Sequence, residues 1–264
     1  MPPDQRAAFR VTGEFEGAPR TVEFAGGDLT ALPSLLAPLH QIIETHATLY
    51  DWAAAMPQPM ALRGRAPVYV AALDGGERVV VRHAWHGGLL APLTGDRFRR
   101  PTRAPREMQQ SAALRDAGIP TTQIVGFARY DAGFGCARVD VVSRFVDGAM
   151  DLGMVLSGLG HDLSGDEAFD AVLDLLVRLA HAGVVHPDLN VKNILLRRSG
   201  RGHVDALVID IDVIDWDPAR PSVQTMSRNV ERLVRSIRKW RRQFGCAVTD
   251  TQLVQWTTTA MARA

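Results

Sequence analysis

An aspartate, an asparagine and a second aspartate stand in the stretch His186 to Asp212, HPDLNVKNILLRRSGRGHVDALVIDID. Asp188 could accept a hydrogen bond from an acceptor hydroxyl, orient it and take its proton late in the reaction. An unperturbed carboxylate is a weak base, so positioning would be most of its contribution. Asn193 offers a neutral carbonyl oxygen and Asp210 a charged one. Both suit Mg2+, a hard cation that keeps phosphates and waters in its shell. A base and two hard-cation ligands are what moving a γ-phosphoryl group of ATP onto a hydroxyl requires.

The residues around these three have further parts. Asn190, two residues after Asp188, is near enough to reach the γ-phosphate or the acceptor and is a catalytic candidate. His186 is read as orienting the loop, Lys192 as solvent-facing, and Asp212 as a structural acceptor ahead of a second ligand. On the nucleotide side, a cation on a strand should hold the α- and β-phosphates and pair with an acid on the following helix. Arg82 in Val79-Val-Val-Arg, with Glu107, meets that description; a surface ion pair is the alternative. Arginine grips with a planar fork where lysine offers a point charge. Gly64, in Arg-Gly-Arg, is either the remnant of a glycine-rich phosphate loop or a plain turn. Arg97, Arg99 and Arg100, with Arg103 and Arg106, form a proline-broken basic run. That run is a solvated loop or a surface for an anionic substrate or lipid headgroups.

Several elements must position these groups. Pro67–Leu73 and Arg78–His83 flank Asp74-Gly75-Gly76 and read as a hairpin of β-branched strands. Pro105 to Ala117 reads as a helix, with proline in its first turn and Gly118 and Pro120 beyond its end. Ile124–Ala128 and Cys136–Ser143 read as strands, and Arg144-Phe-Val-Asp-Gly as a connector. Ser164-Gly-Asp-Glu167 is a capping box that opens a helix closed by Gly183. Leu207-Val208-Ile209-Asp210 reads as a buried strand delivering an acid at its end. From Ser227 to Phe244 one helix side is apolar and the other carries arginines. This helix is core with solvated arginines, a segment lying on an anionic membrane surface, or a bearer of arginine forks for an anionic substrate. Upstream, Phe9–Thr12 and Thr21–Phe24 read as two short strands, and Leu32 to Leu49 as one amphipathic helix. The division expected is an N-terminal appendage over 1–60, a β-rich lobe over 61–145 and a mainly helical lobe over 146–264.

Composition narrows the class. A formal charge of +1 excludes a bulk nucleic-acid binder, and the basic residues lack interleaved stacking aromatics. Two cysteines are too few for a disulfide framework and favour a reducing compartment. The N-terminus carries charges where a signal peptide needs an apolar run, and no window reaches the ~18 apolar residues of a membrane span. The expected location is cytoplasmic, with or without peripheral contact with a membrane; the oligomeric state is not legible.

The order of parts (strand hairpin, helix with Glu107, strand, connector, helix, His-x-Asp loop, acid after a strand) is that of a bilobal, protein-kinase-like α+β fold. Val79–Leu89, Gly95–Phe98, Arg106-Glu107 and Leu114–Pro120 lie in one part of the chain. His186–Leu196, Ile209–Asp212 and Asn229 with Arg232–Lys239 lie in the other. Together these segments resemble the Kdo/WaaP family of lipopolysaccharide kinases, and most of all its 3-deoxy-D-manno-octulosonic acid (Kdo) kinases. Arginine at position 82 is common in that branch. The resemblance implies ATP-dependent phosphorylation of a Kdo hydroxyl on an anionic lipid A precursor, at the cytoplasmic face of the inner membrane. The chain departs from its relatives in the long N-terminal segment and at Val213-Ile214. The alternatives are a kinase for another sugar or an aminoglycoside-type molecule, and a pseudokinase that binds nucleotide without turnover. A protein kinase fits less well, since no Ala-Pro-Glu follows Asp212.

Overall fold

The computed structural model describes residues 17–56, 60–62, 67–85, 95–160, 162–200 and 202–264. The chain forms two compact units, Met1–Gln109 with Gln123–Phe145, and Gln110–Thr122 with Val146–Ala264.

The first unit is built on an antiparallel sheet. Its elements are β1 (Arg20–Phe24), β2 (Gly27–Ala31), α1 (Pro33–Thr45), α2 (Leu49–Ala54), β3 (Met60–Leu62), β4 (Val68–Ala72), β5 (Arg78–His83), β6 (Phe98–Arg99), the helix α3 (Ala104–Asp116) that runs on into the second unit, β7 (Ile124–Asp131) and β8 (Cys136–Arg144). The strand order is β1-β2-β7-β8-β5-β4-β3, with β6 on β8. The hairpin β4–β5 turns at Asp74-Gly75-Gly76, where both glycines have positive φ. Residues 20–54 are not an appendage. Strand β2 pairs with β7, and Leu29, Leu39, Leu49 and Trp52 lie in one core with Val79, Val81 and Val141. The partner of Thr21–Phe24 is Gly27–Ala31; Phe9–Thr12 lies outside the described residues. The helix expected from Leu32 to Leu49 breaks after Thr45, because Thr48 accepts the Asp51 backbone N–H at 2.9 Å and starts α2 anew.

A buried polar cluster ties α2 to the sheet. Asp140, fully buried, accepts hydrogen bonds from the Tyr50 backbone N–H (2.9 Å) and the Tyr130 hydroxyl (3.1 Å), and its other oxygen lies 2.6 Å from His83 Nδ1. Asp96 stands 3.2 Å from the other nitrogen of His83. A buried carboxylate needs this many partners to offset its lost hydration.

The second unit is mainly helical. It holds β9 (Met150–Asp151), α4 (Leu152–Leu156), α5 (Gly165–His181), β10 (Val184–Val185), β11 (Ile194–Arg198), β12 (Val204–Val208), a 3-10 turn (Ile211–Val213), β13 (Asp215–Trp216), α6 (Ser222–Phe244) and α7 (Asp250–Ala262). The capping box of α5 forms as its sequence predicts: the Ser164 hydroxyl accepts from Glu167 N–H and the Glu167 carboxylate from Ser164 N–H. Those Ser164 bonds, with Arg198, hold the Glu167 carboxyl down to about 2. Met226, Val230, Leu233 and Ile237 of α6 are buried in the core. Each such side chain stabilises by about 1.5–3 kcal/mol, so the apolar face belongs to the core and is closed to a bilayer. Helix α7 escapes the sequence reading, although Thr249 with Gln252 is a second capping box and Leu253, Trp256 and Ala260 are its buried face.

Candidate active site

The loop between β10 and β11 is fixed by backbone turns, Leu189 N–H to His186 O and Asn193 N–H to Asn190 O, each at 3.0 Å, and by side chains that reach its backbone. His186 is fully buried, and its backbone N–H donates to Asn229 Oδ1 at 3.0 Å. Asn229, also fully buried, returns its Nδ2 to the Val184 carbonyl at 2.9 Å. The His186 ring accepts the Asp188 N–H at Nδ1 (3.2 Å), which puts the ring proton on Nε2, facing the Ile209 carbonyl at 3.1 Å. One imidazole therefore joins the loop to the residue preceding Asp210. The Asp188 carbonyl accepts from both Asn193 Nδ2 and Asn190 Nδ2, each at 2.9 Å. Further along, the Val191 N–H donates to Ser236 Oγ of α6 at 3.1 Å. The Asp188 peptide is thus held on both sides, while its carboxylate is exposed and makes no hydrogen bond among the described residues.

Strand register brings the two expected cation ligands together. Ile194 pairs with Val208 in the antiparallel β11–β12 ladder, and the Ile209 N–H donates to the Asn193 carbonyl at 3.0 Å. Asn193, one residue before β11, and Asp210, two after β12, therefore lie at the same end of the hairpin. Since Asn193 directs its amide nitrogen to Asp188, its Oδ1 is the atom available to a cation. The strand does not run through Asp210. It stops at Val208, and Asp210 takes a left-handed conformation (φ +62°, ψ +48°) before the 3-10 turn. Aspartate is among the few side chains that tolerate that region. Asp212 accordingly sits in the first turn of the 3-10 segment.

Two oxygen donors fit Mg2+ held jointly with nucleotide phosphates, and they do not make a self-sufficient metal cage. Among the described residues no group of three or more His, Cys, Asp or Glu is placed to hold a metal ion.

In the first unit, Arg82 on β5 meets Glu107 on α3, its Nη2 lying 2.6 and 2.8 Å from the two carboxylate oxygens. Glu107 is buried, whereas the Arg82 side chain keeps 38% of its exposure. The pair expected from sequence therefore exists, with its cationic partner toward solvent.

Other expectations change. Both ends of the Asn190 amide are committed to loop backbone, Nδ2 to Asp188 O and Oδ1 to the Lys192 N–H at 2.8 Å. Asn190 shapes the loop and does not present an unbonded amide to substrate. Lys192 is not simply solvent-facing: its Nζ is 3.0 Å from Asp151 and 5.0 Å from the centroid of the Trp240 ring. Arg97 and Arg99 are exposed, but Arg100 is held by Asp131 (2.6 Å) and Asp28 (3.2 Å), which removes it from the anion-binding candidates. Gly64 lies outside the described residues. The loop's supports, Asn229 and Ser236, are what residue-by-residue reading misses. Their signal is a polar residue at core spacing, since Asn229 falls between Met226 and Leu233 on the buried face of α6.

An antiparallel-sheet unit carrying the Arg82–Glu107 pair, and a mainly helical unit carrying the His186–Asn193 loop and the β11–β12 hairpin, make up a protein-kinase-like α+β fold. Residues 64–259 match the family described as lipopolysaccharide kinase (Kdo/WaaP), and the chain belongs to that family. Among curated relatives, the 3-deoxy-D-manno-octulosonic acid kinase of Mannheimia succiniciproducens is 27% identical over 62% of this chain and 67% of its own. That of Stenotrophomonas maltophilia is 30% identical over 61% and 62%. That of Actinobacillus succinogenes is 30% identical over 47% and 52%, so the chain spans between about half and two thirds of these relatives. Among solved structures, WaaP in complex with acyl carrier protein superposes with a TM-score of 0.52 at 16% identity, covering 86% of this chain and 87% of that one. That likeness supports the kinase-like fold. No helix among the described residues is long and apolar enough to cross a membrane.

Proposed function

We propose that this protein transfers the γ-phosphoryl group of ATP to a hydroxyl of Kdo on a lipid A precursor. The observation that carries the reading is the His186–Asn193 loop, which holds the Asp188 peptide from both sides and leaves its carboxylate open to an acceptor. Asp188 orients the hydroxyl and takes its proton late, a role that depends on position more than on basicity. Asn193 and Asp210 would hold Mg2+, which would supply the charge that offsets that of the nucleotide phosphates. Arg82, kept extended by Glu107, contacts the α- and β-phosphates. The exposed Arg97 and Arg99 suit the phosphate and carboxylate groups of such a glycolipid. Its work is placed at the cytoplasmic face of the inner membrane, where ATP and the lipid precursor meet.

The test is transfer of label from ATP in the presence of magnesium, with the Kdo-bearing precursor, the same precursor without Kdo, and an aminoglycoside as acceptors. Label confined to the Kdo-bearing lipid, and located on Kdo by mass spectrometry, is the expected result. Label on the Kdo-free lipid or the aminoglycoside moves the acceptor elsewhere. ATP binding without turnover on any acceptor returns the chain to the pseudokinase alternative.

A further inference from the structure

Helix α6 carries an ordered row of cations on the side away from the core. Arg228, Arg232, Arg235, Lys239 and Arg242 follow one another at alternating steps of four and three residues, and all five are exposed. At about 100° per residue they fall within a strip roughly 80° wide and ~21 Å long. Among the described residues none of the five makes an ion pair or hydrogen bond. The neighbouring Arg238 and Arg241, by contrast, are paired with Asp250. Glu231, the one carboxylate of the helix, accepts from the Ser227 hydroxyl at 2.9 Å and forms no ion pair with the strip. Like charges at these spacings repel one another and weaken a helix. The strip therefore does nothing for the fold, which the opposite face secures.

We propose that this face of α6 docks the protein on an anionic phospholipid surface. A protein partner would need a desolvated apolar or aromatic anchor at the centre of the contact. The exposed apolar residues of α6, Val223 and Phe244, stand at its two ends and turn away from the strip. A charged bilayer asks only for cations along a surface. The inner face of the same helix holds the reaction loop through Asn229 and Ser236. Docking therefore fixes that loop at the surface where a glycolipid acceptor lies. The inference rests on the proposed membrane substrate for its purpose, but the binding itself is independent of which hydroxyl reacts.

The experiment is co-sedimentation of the full chain with phosphatidylcholine vesicles, with and without phosphatidylglycerol, beside activity on detergent-dispersed acceptor. Binding should require the anionic lipid and decline with salt. At about fivefold per basic residue near the surface, R232Q/R235Q/K239Q should bind roughly a hundredfold more weakly. The same variant should keep its melting temperature and its activity in detergent. Equal binding by variant and wild type, no binding by either, or capture of the strip by an acidic protein in place of vesicles overturns the proposal. So does a parallel loss of detergent activity, which would make the strip part of the acceptor site. Intact vesicle binding without phosphoryl transfer would remove the proposed reaction and leave the docking face standing.

Discussion

Asn229→Ala should loosen the reaction loop from behind without touching any reacting group. The side chain is fully buried and makes two hydrogen bonds, accepting from His186 N–H at 3.0 Å and donating to Val184 O at 2.9 Å. Truncation leaves both backbone groups unpaired, and a buried polar group without a partner costs about 1–3 kcal/mol. Two such groups, partly rescued by a water entering the vacated space, give about 3 kcal/mol. In a chain of this size that lowers the melting temperature by roughly 6–12 °C. Activity measured well below the melting range should also fall, because the His186 peptide anchors the ring that holds Asp188 N–H and Ile209 O. Asn229→Asp keeps the acceptor for His186 N–H but sets a buried carboxylate oxygen against the Val184 carbonyl, so at neutral pH it should be at least as damaging as alanine. The measurements are a thermal melt and phosphoryl transfer at low temperature. An alanine variant melting within about 1 °C of wild type, with activity intact, would refute the reasoning.

Arg82→Ala should raise the KM for ATP and destabilise the first unit by about 1–2 kcal/mol, since the buried Glu107 loses the Arg82 bonds; this is less than for a fully buried pair because Arg82 is partly solvated. Arg82→Lys should recover part of the loss, as it keeps the charge without the fork. The His83 ring should impose a pH dependence on stability. Burial opposes its charge, but the hydrogen bond and charge of Asp140, with those of Asp96, outweigh it and raise the pKa. A raised folded value means the contribution is complete below about pH 6.5, the unfolded value, and disappears as pH rises through the folded one. Melting temperature should therefore decline on the alkaline side, and His83→Gln should flatten that decline; an unchanged profile would dismiss the cluster as its source. Gly183→Ala should destabilise strongly, because φ is +70° and a Cβ would stand 1.9 Å from Asp217 O. Gly118→Ala has φ +73° but open space, and should lose only the roughly 1–2 kcal/mol of the left-handed backbone.

What was legible in the chain follows from how local each signal is. The capping box at Ser164 and the glycine turn at 74–76 act within a few residues, and both take the form expected. Strand β2 escapes because Gly27-Asp28-Leu29-Thr30-Ala31 has little strand propensity alone and gains its place by pairing with β1 and β7. The left-handed Asp210 is likewise invisible in composition, since the run before it reads as uninterrupted strand. Arg100 looks like an available cation until Asp28 and Asp131, from distant parts of the chain, are folded beside it. For the helix Ser222–Phe244 the sequence leaves two assignments of the apolar face open, and packing decides between them by filling it with core.

The central claim is that Asp188 positions the acceptor at a loop built for that purpose. Its most direct test compares Asp188→Ala with wild type in transfer of labelled phosphate from ATP to the Kdo-bearing precursor, with ATP affinity measured on the same samples. The account predicts a fall in kcat of about 10²–10⁴-fold with ATP affinity and melting temperature nearly unchanged. An alanine variant that transfers phosphate within a few-fold of wild type would contradict it.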